Sequence, residues 1–388
     1  MQDVTSLIPP VPHAFGFTTE HALTRQQARR FLEENSPREH ARALHDDRLG
    51  YDPALYRRVL ELGWLGLTLP ESYGGAGLDH LHLMLLWEEL GRALTPSPLF
   101  GALLATHAIS LSRHEAHRGR WLPEALSGEL IPTFAFGEPK GAWGPRQVSC
   151  RAEPKDGAWQ LTGVKAHVPF GASATLAVVP AVDHRGEVGL FVLDLPSAGV
   201  EREPELSVDS TRRSARLVLS RARVPHDRRL QGDGARIFTQ VCTLGYAVLA
   251  AEMVGAGEQV LELTRSYATT REQFGRAIGS FQAVKHPIVN MLCQLELARS
   301  LSLGAGAALS DSRLIDQPEV AERAARMAKA YGEQMLSHAV QKGVQLHGGF
   351  GFTWECDVQL YFKRMLWTRA TLGDATHHKA ALAAALFA

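Results

Sequence analysis

The spacing of hydrophobic residues changes twice along this chain, and that limits its fold more than any other feature. From about Thr18 to Gly128 the apolar pattern is helical. Leu60, Leu62 and Leu65 lead into LPESYGGAGLDH, a Pro/Gly-rich loop, and LHLMLLWEELGRAL then resumes the helical period. From about Pro132 to Pro225 the period falls to two. LAVVPAV (176–182), VGLFVLDL (188–195) and ARLVLSRARV (215–224) have the length and β-branched content of strands. Turn signals stand at Lys155-Asp156-Gly157 and Asp183-His184-Arg185-Gly186. After Gly232 the helical period returns, with Ile237, Val241, Leu244, Val248 and Ala251 on one face that Val260, Leu263 and Tyr267 continue. Two further long helices are expected at about Phe281–Asp311 and Pro318–His347, and a last one from near Asp357. This order predicts an α+β multi-domain chain: an all-α N-terminal domain (1–130), a β-barrel or sandwich middle domain (131–230) and a C-terminal four-helix bundle (231–388).

The chain's 388 residues suffice for two or three domains, and 45% hydrophobic with 21% charged residues is ordinary for a globular protein. Lys+Arg and Asp+Glu both number 41. Without a basic excess or charge run, nucleic acid is not expected as a partner. Cys150, Cys242, Cys293 and Cys356 are far apart and lack metal-ligand spacing, which suits buried free thiols in a reducing cytoplasm. MQDVTSLIPPVPHAFG has neither the basic start nor the apolar core of a signal peptide. No run reaches the roughly 18 consecutive apolar residues of a membrane span.

Common catalytic signatures are missing. GASAT (171–175) does not form a Gly-x-Ser-x-Gly elbow, and GAGEQV (255–260) lacks a third glycine and falls inside a helix. His80 and His82 are two residues apart and His377 and His378 adjacent, so neither pair forms a helical metal site and no metal is expected.

Two segments remain. In YATTREQFGRAIGSFQAVKH (267–286), Gly275 and Gly279 break two long helices, and Arg271 and Arg276 flank the break. Arginine's planar fork suits phosphate oxygens. Gln273 and Gln282 can bond amide or ribose groups, and Phe274 and Phe281 offer flat apolar faces. Such a set fits a dinucleotide, and equally a polar turn between helices. In VQLHGGFGFTWE (344–355) a helix ends in three glycines where one would suffice, which suggests something bulky against the backbone.

These segments resemble the R-x-x-F-G … F-Q-x-x-x-H and Q-x-x-G-G-x-G-F motifs of the flavin-dependent acyl-CoA dehydrogenases, and LPESYGGAGL resembles their P-E-x-Y-G-G-x-G loop. The resemblance covers nearly the whole chain and implies FAD as cofactor, an acyl-CoA substrate, and a homo-oligomer or heterotetramer whose C-terminal motifs grip a neighbour's FAD. It implies that Arg271 meets the pyrophosphate with Gln273, Phe274, Phe281 and Gln282 beside it. Gln345, Gly348 and Gly349 would admit the adenosine diphosphate part. Phe136, Gly137, His167, Val168 and Pro169 would border the flavin ring.

The chain also departs from the family. T-E-P-x-A-G-S-D reads GEPKGAWG (137–144), retaining Glu138 and Pro139, and W-I-T reads His167-Val168-Pro169. Proline offers neither the hydroxyl nor the N–H of that threonine. The glutamate of Y-E-G-T, the family's usual base, falls on Leu372 or Gly373 in TRATLGDAT. The alternative base position, early in the first bundle helix, reads Leu244-Gly245-Tyr246. Asp374 and, more weakly, Glu252 are the carboxylates left as candidate bases, with Gly245, Tyr246, Leu372 and Gly373 shaping a substrate pocket. Three readings follow: a dehydrogenase of acyl-CoA thioesters acting at CH–CH, a non-catalytic FAD-sharing partner subunit, or a flavin-free descendant.

Overall fold

The computed structural model describes residues 16–141, 143–314 and 317–387. Residues 1–15, which hold most of the N-terminal stretch read above for targeting signals, lie outside them. Six helices come first: α1 (Thr19–Asn35), α2 (Arg38–Ala43), α3 (Pro53–Glu61), α4 (His80–Ala93), α5 (Leu99–Ser110) and α6 (Glu115–Leu126). Seven strands follow: β1 (Pro132–Phe134), β2 (Arg151–Lys155), β3 (Ala158–Pro169), β4 (Leu176–Asp183), β5 (Val188–Asp194), β6 (Val200–Glu205) and β7 (Ser214–Pro225). Next come α7 (Gly234–Thr270), the short strands β8 (Glu272–Gln273) and β9 (Arg276–Ala277), and then α8 (Gln282–Ser310), α9 (Pro318–His347), α10 (Val358–Ala370) and α11 (Ala375–Phe387). Both changes of hydrophobic period mark real changes of structure. The helical N-terminal region, the sheet and the helical C-terminal region are as expected.

The chain packs as two compact units, neither continuous in sequence. One holds the segment ending at Ala41, then 79–95, and everything from Tyr246 onward; the other holds 42–78 and 96–245. The first helices are therefore shared out: α1 and α4 pack with the C-terminal helices, and α3, α5 and α6 belong with the sheet.

In the first unit α4 crosses α7 so closely that side chains are excluded. A Cβ on Gly91 would lie 2.1 Å from the Glu252 carbonyl oxygen, and one on Gly255 would lie 1.7 Å from that of Glu88. Beside this crossing runs a buried charge network. Arg25 and Arg29 of α1 reach Glu89 and Glu258, and Arg299 of α8 reaches Glu88 and Glu258. Burial alone would raise the Glu258 carboxyl, but the guanidinia of Arg299, Arg25 and Arg29 outweigh it and hold the group at about 2. Leu295, Met335, Leu336, Val340 and Tyr361 fill the apolar core between the bundle helices.

The second unit is built on one seven-stranded sheet, ordered β1-β4-β2-β3-β7-β6 with β5 on β4. The sheet is mixed: β4 runs parallel to β1 and β2, whereas the other pairs are antiparallel. Trp159, Leu161, Val179, Phe191, Leu217 and Val224 alternate into a common core, as period-two strands require.

One helix among the described residues, α7, is long and apolar enough by length and composition to cross a membrane. No unbroken apolar run revealed it, because scattered polar residues interrupt the window, and 89% of that window is buried in the fold. Cysteine placement also differs from expectation. Cys150, Cys242 and Cys356 are buried but Cys293 is exposed on α8.

Candidate functional site

The two glycine-rich segments meet within the first unit. At the end of α7 the chain turns through β8 and β9, with Phe274 and Gly275 both left-handed at φ 55° and 79°. The Arg271 carbonyl accepts from the Ile278 N–H at 2.8 Å, which closes this hairpin. Opposite, α9 stops where Gly348 takes φ 62° and its N–H reaches the Gln345 carbonyl. Between the two ends lies a cleft of about 600 Å³, bordered by Arg271, Gln273, Gln345, Gly348 and Gly349. The Arg271 side chain forms no ion pair or hydrogen bond with the described residues, so its charge is available to a ligand.

The three glycines now separate by cause. Gly351 is demanded by packing, since a Cβ there would lie 2.5 Å from the Val344 carbonyl oxygen. Gly348 is demanded by its backbone angle. Neither reason applies to Gly349: it has no positive φ, and a Cβ would meet nothing within 4 Å. The space over Gly349 is open, so a ligand could lie against this backbone without meeting a side chain.

Sequence reading missed part of the lining. Tyr267 stacks on His347 with ring centroids 4.4 Å apart and planes at 24°, and Phe350 extends the stack at 6.1 Å. His347 Nδ1 donates to the Gly343 carbonyl at 2.7 Å. Burial holds this imidazole below its ordinary range, so the flat wall is neutral at pH 7. The signal was available, since Tyr267 stands one helical turn before Arg271 and His347 follows Gln345 by two. By contrast, Phe274, Phe281 and Gln282 do not line the cleft. Phe274 is 92% exposed, and Phe281 lies under the Arg276 guanidinium at 4.1 Å.

Within the second unit, Gly137 and Ala166 approach so closely that a Cβ on Gly137 would lie 2.4 Å from the Ala166 carbonyl oxygen. Phe136 and Gly137 therefore sit beside the His167-Val168-Pro169 end of β3. Val168 is buried in the sheet core, and the Pro169 carbonyl accepts from Thr133 Oγ1. His167 is exposed at φ 54°, its N–H donating to Glu205 at 2.9 Å. The retained Glu138 anchors this corner. Its buried carboxylate takes the Lys165 ammonium at 2.7 Å, the Ser149 and Cys150 N–H groups, and the Ser149 hydroxyl.

The turn at 371–375 returns to the first unit. Leu372 and Gly373 are both left-handed, at φ 58° and 94°. Fully buried Lys329 holds the turn, its Nζ donating to the Thr368 and Gly373 carbonyls at 2.9 and 3.1 Å. Glu333, one turn along α9, accepts the Ala375 N–H at 2.6 Å. The Asp374 carboxylate accepts the His377 N–H at 2.8 Å and so caps α11. Glu252 is paired with Arg364, both side chains fully buried. Tyr246 is buried on α7 against the His378 ring at 4.7 Å, with the Arg326 guanidinium 4.8 Å over its face; neighbouring Gly245 is likewise buried.

A histidine cluster invisible to local spacing also forms: His21, Asp79 and His82 place ligand-type atoms within 4.8 Å of one another. Their hydrogen bonds are already assigned, however. The Thr18 N–H donates to His21 Nδ1, leaving Nε2 to carry a proton toward Asp79 at 3.2 Å. Asp79 also takes the Leu81 and His82 N–H groups as the cap of α4, and His82 Nδ1 at 2.9 Å. The cluster fastens α1 to the start of α4.

Comparison with known proteins matches both helical regions. Residues 18–129 match the acyl-CoA dehydrogenase N-terminal domain and residues 232–387 the acyl-CoA dehydrogenase C-terminal domain. The acyl-CoA dehydrogenase IpdE2 of Mycolicibacterium smegmatis is 32% identical over 370 residues, covering 95% of this chain and 99% of that protein. The ChsE4–ChsE5 complex from Mycobacterium tuberculosis superposes with a TM-score of 0.86 at 26% identity, over 96% of this chain and 98% of that one. A variant of the Tcur3481–Tcur3483 steroid ACAD gives 0.85 at 29% identity over the same shares.

Proposed function

This chain belongs to the acyl-CoA dehydrogenase family, an oxidoreductase family acting on CH–CH bonds, and we propose that it binds FAD and takes part in the α,β-dehydrogenation of an acyl-CoA thioester. The observation that carries this reading is the cleft between Arg271 and Gly349. It combines an unpaired guanidinium for phosphate, a glycine bare for no internal reason, and a neutral aromatic wall for a flat ring. Arg271 holds the pyrophosphate, and Gln273 and Gln345 supply amide groups to the sugar and base. Phe136, Gly137 and the His167–Pro169 segment border the flavin ring. When bound, the flavin supplies the acceptor for the substrate's β-hydride.

As the family resemblance implies, the FAD that this cleft grips sits mainly on a neighbouring subunit. The working form is a homo-oligomer or a heterotetramer with a second family member, in a reducing cytoplasm. The heteromeric form, with the base supplied by the partner, draws specific support from the 371–375 turn. Gly373 has no side chain, Asp374 is used as a helix cap, and Glu252 is neutralised by Arg364. Structural neighbours at 26–29% identity include two-component assemblies.

Purification with a flavin spectrum and native mass measurement tests the reading. A yellow dimer or tetramer with about one FAD per subunit, or per subunit pair, supports it. A flavin-free monomer that takes up no added FAD would overturn it.

A further inference from the structure

At Gly373, one of the two positions on which the family's missing glutamate falls, the space is not empty. A Cβ built on Gly373 would lie 2.6 Å from His377 Cδ2, 3.0 Å from Cγ and 3.4 Å from Nε2. In a glutamate the carboxylate oxygens stand roughly 3–3.6 Å from their own Cβ, by ordinary bond lengths. The imidazole nitrogen thus stands as far from that point as a carboxylate oxygen would. At φ 94° Gly373 could not carry a side chain without strain, so the turn is shaped to leave this volume to His377.

Resting on the dehydrogenase reading, we propose that His377 is the proton acceptor of this chain, its imidazole replacing the absent carboxylate at the substrate α-carbon. The ring is half-buried in the first turn of α11, and no protein group among the described residues hydrogen-bonds its nitrogens. Asp374 caps the His377 N–H and so fixes where the ring leaves the helix. From α9, Arg326 and Lys329 face it, Arg326 itself paired with Glu322 at 2.8 Å; on its own element Asp374 and the His378 ring adjoin it. Burial and the two cations hold its pKa below the usual histidine range, against the opposing pull of Asp374. At pH 7 the ring is therefore neutral and has a lone pair to offer.

The step balances simply. The Cα–H bond breaks and its proton passes to the imidazole, giving imidazolium. The electron pair left behind forms the α,β double bond while the β-hydrogen departs with its own pair to the flavin, the oxidant of the proposed reaction.

The test uses the flavin-loaded oligomer as purified, with butyryl-CoA, octanoyl-CoA and isovaleryl-CoA as probes. Three readouts are taken: acyl-CoA binding, deuterium uptake from solvent at C2, and the ring signals of His377 in labelled protein, assigned by their loss in His377→Gln. The wild type should exchange C2 protons, and His377→Gln should slow that exchange by at least about a hundred-fold with FAD and thioester still bound. His377→Ala should regain exchange on addition of free imidazole, which a purely structural role would not allow. In the wild type the His377 ring should titrate below pH 6.5 and shift when thioester binds. Bound FAD and thioester with no C2 exchange, or exchange indifferent to His377→Gln, would overturn the proposal and leave the heteromeric reading standing. Failure to bind both FAD and thioester would remove the dehydrogenase reading and this proposal with it.

Discussion

Glu252 and Arg364 meet at 2.5 Å, Oε1 to Nη1, with neither side chain exposed to solvent. A carboxylate held this way is engaged by its guanidinium within the fold. Glu252→Gln would take from this buried guanidinium the carboxylate it meets at 2.5 Å. Chemical denaturation should show a loss of about 3–5 kcal/mol, largely recovered in Glu252→Gln/Arg364→Met, where both charges are gone. A variant of unchanged stability would mean that the pair is not the reason for either residue.

The cleft glycines give opposite expectations for one substitution. Gly349→Ala places its Cβ in open space, so the melting temperature should hold while FAD retention falls. Gly351→Ala drives its Cβ to within 2.5 Å of the Val344 carbonyl oxygen, so stability should fall. Arg271→Ala belongs with Gly349→Ala. Loss of one charge-assisted phosphate contact, about 1.5–3 kcal/mol, should weaken FAD binding roughly ten- to hundred-fold at unchanged stability. Dialysis against buffer with flavin absorbance before and after separates the two outcomes.

Wherever one stretch carries its own pattern, the sequence was enough. The helical face from Ile237 to Tyr267 repeats every three or four residues over most of α7, and no other element is needed to read it. Arg271, Gln273, Gln345, Gly348 and Gly349 were legible because glycine interrupting long helices is anomalous in itself. What stayed hidden depends on contacts across long separations. His21 meets Asp79 only once α1 lies on α4, and Lys329 shows its role only when α10 and the turn after it bring two carbonyls to it. Phe281 and Gln282 carry the right residue types but are not among the residues that border the cleft, and residue type alone says nothing of position.

Glu258 makes acid stability testable with a definite sign. Its folded pKa of about 2 lies below the ordinary 4.5, so its contribution is complete above pH 4.5 and is lost as pH falls toward 2. The size is about 3 kcal/mol. Glu88, in the same network, is pushed upward by its burial and partly offsets this. Between pH 5 and pH 2.5 the wild type should lose more stability than Glu258→Gln, which starts lower and has no such proton to take up. Parallel pH profiles for the two proteins would show that Glu258 is not the titrating group.

Lys329 gives the opposite dependence at high pH. Burial lowers its ammonium from 10.5 to about 8, against the raising influence of Glu333 and Asp374. Between those two values the unfolded chain holds a proton that the folded chain has released. Stability must therefore rise with pH across that window, by up to about 3 kcal/mol from this group. Lys329→Met removes the rise and also leaves the Thr368 and Gly373 carbonyls without their donor, at a cost of about 1–3 kcal/mol for each that stays dry. The variant should be less stable than the wild type at pH 7.5, and the gap should widen by pH 10, because only the wild type gains. Groups elsewhere titrate in both proteins and cancel in the difference. A gap that stays constant over this range would show that Lys329 keeps its charge in the fold, and that the turn bearing Gly373 and Asp374 is held by an ammonium throughout.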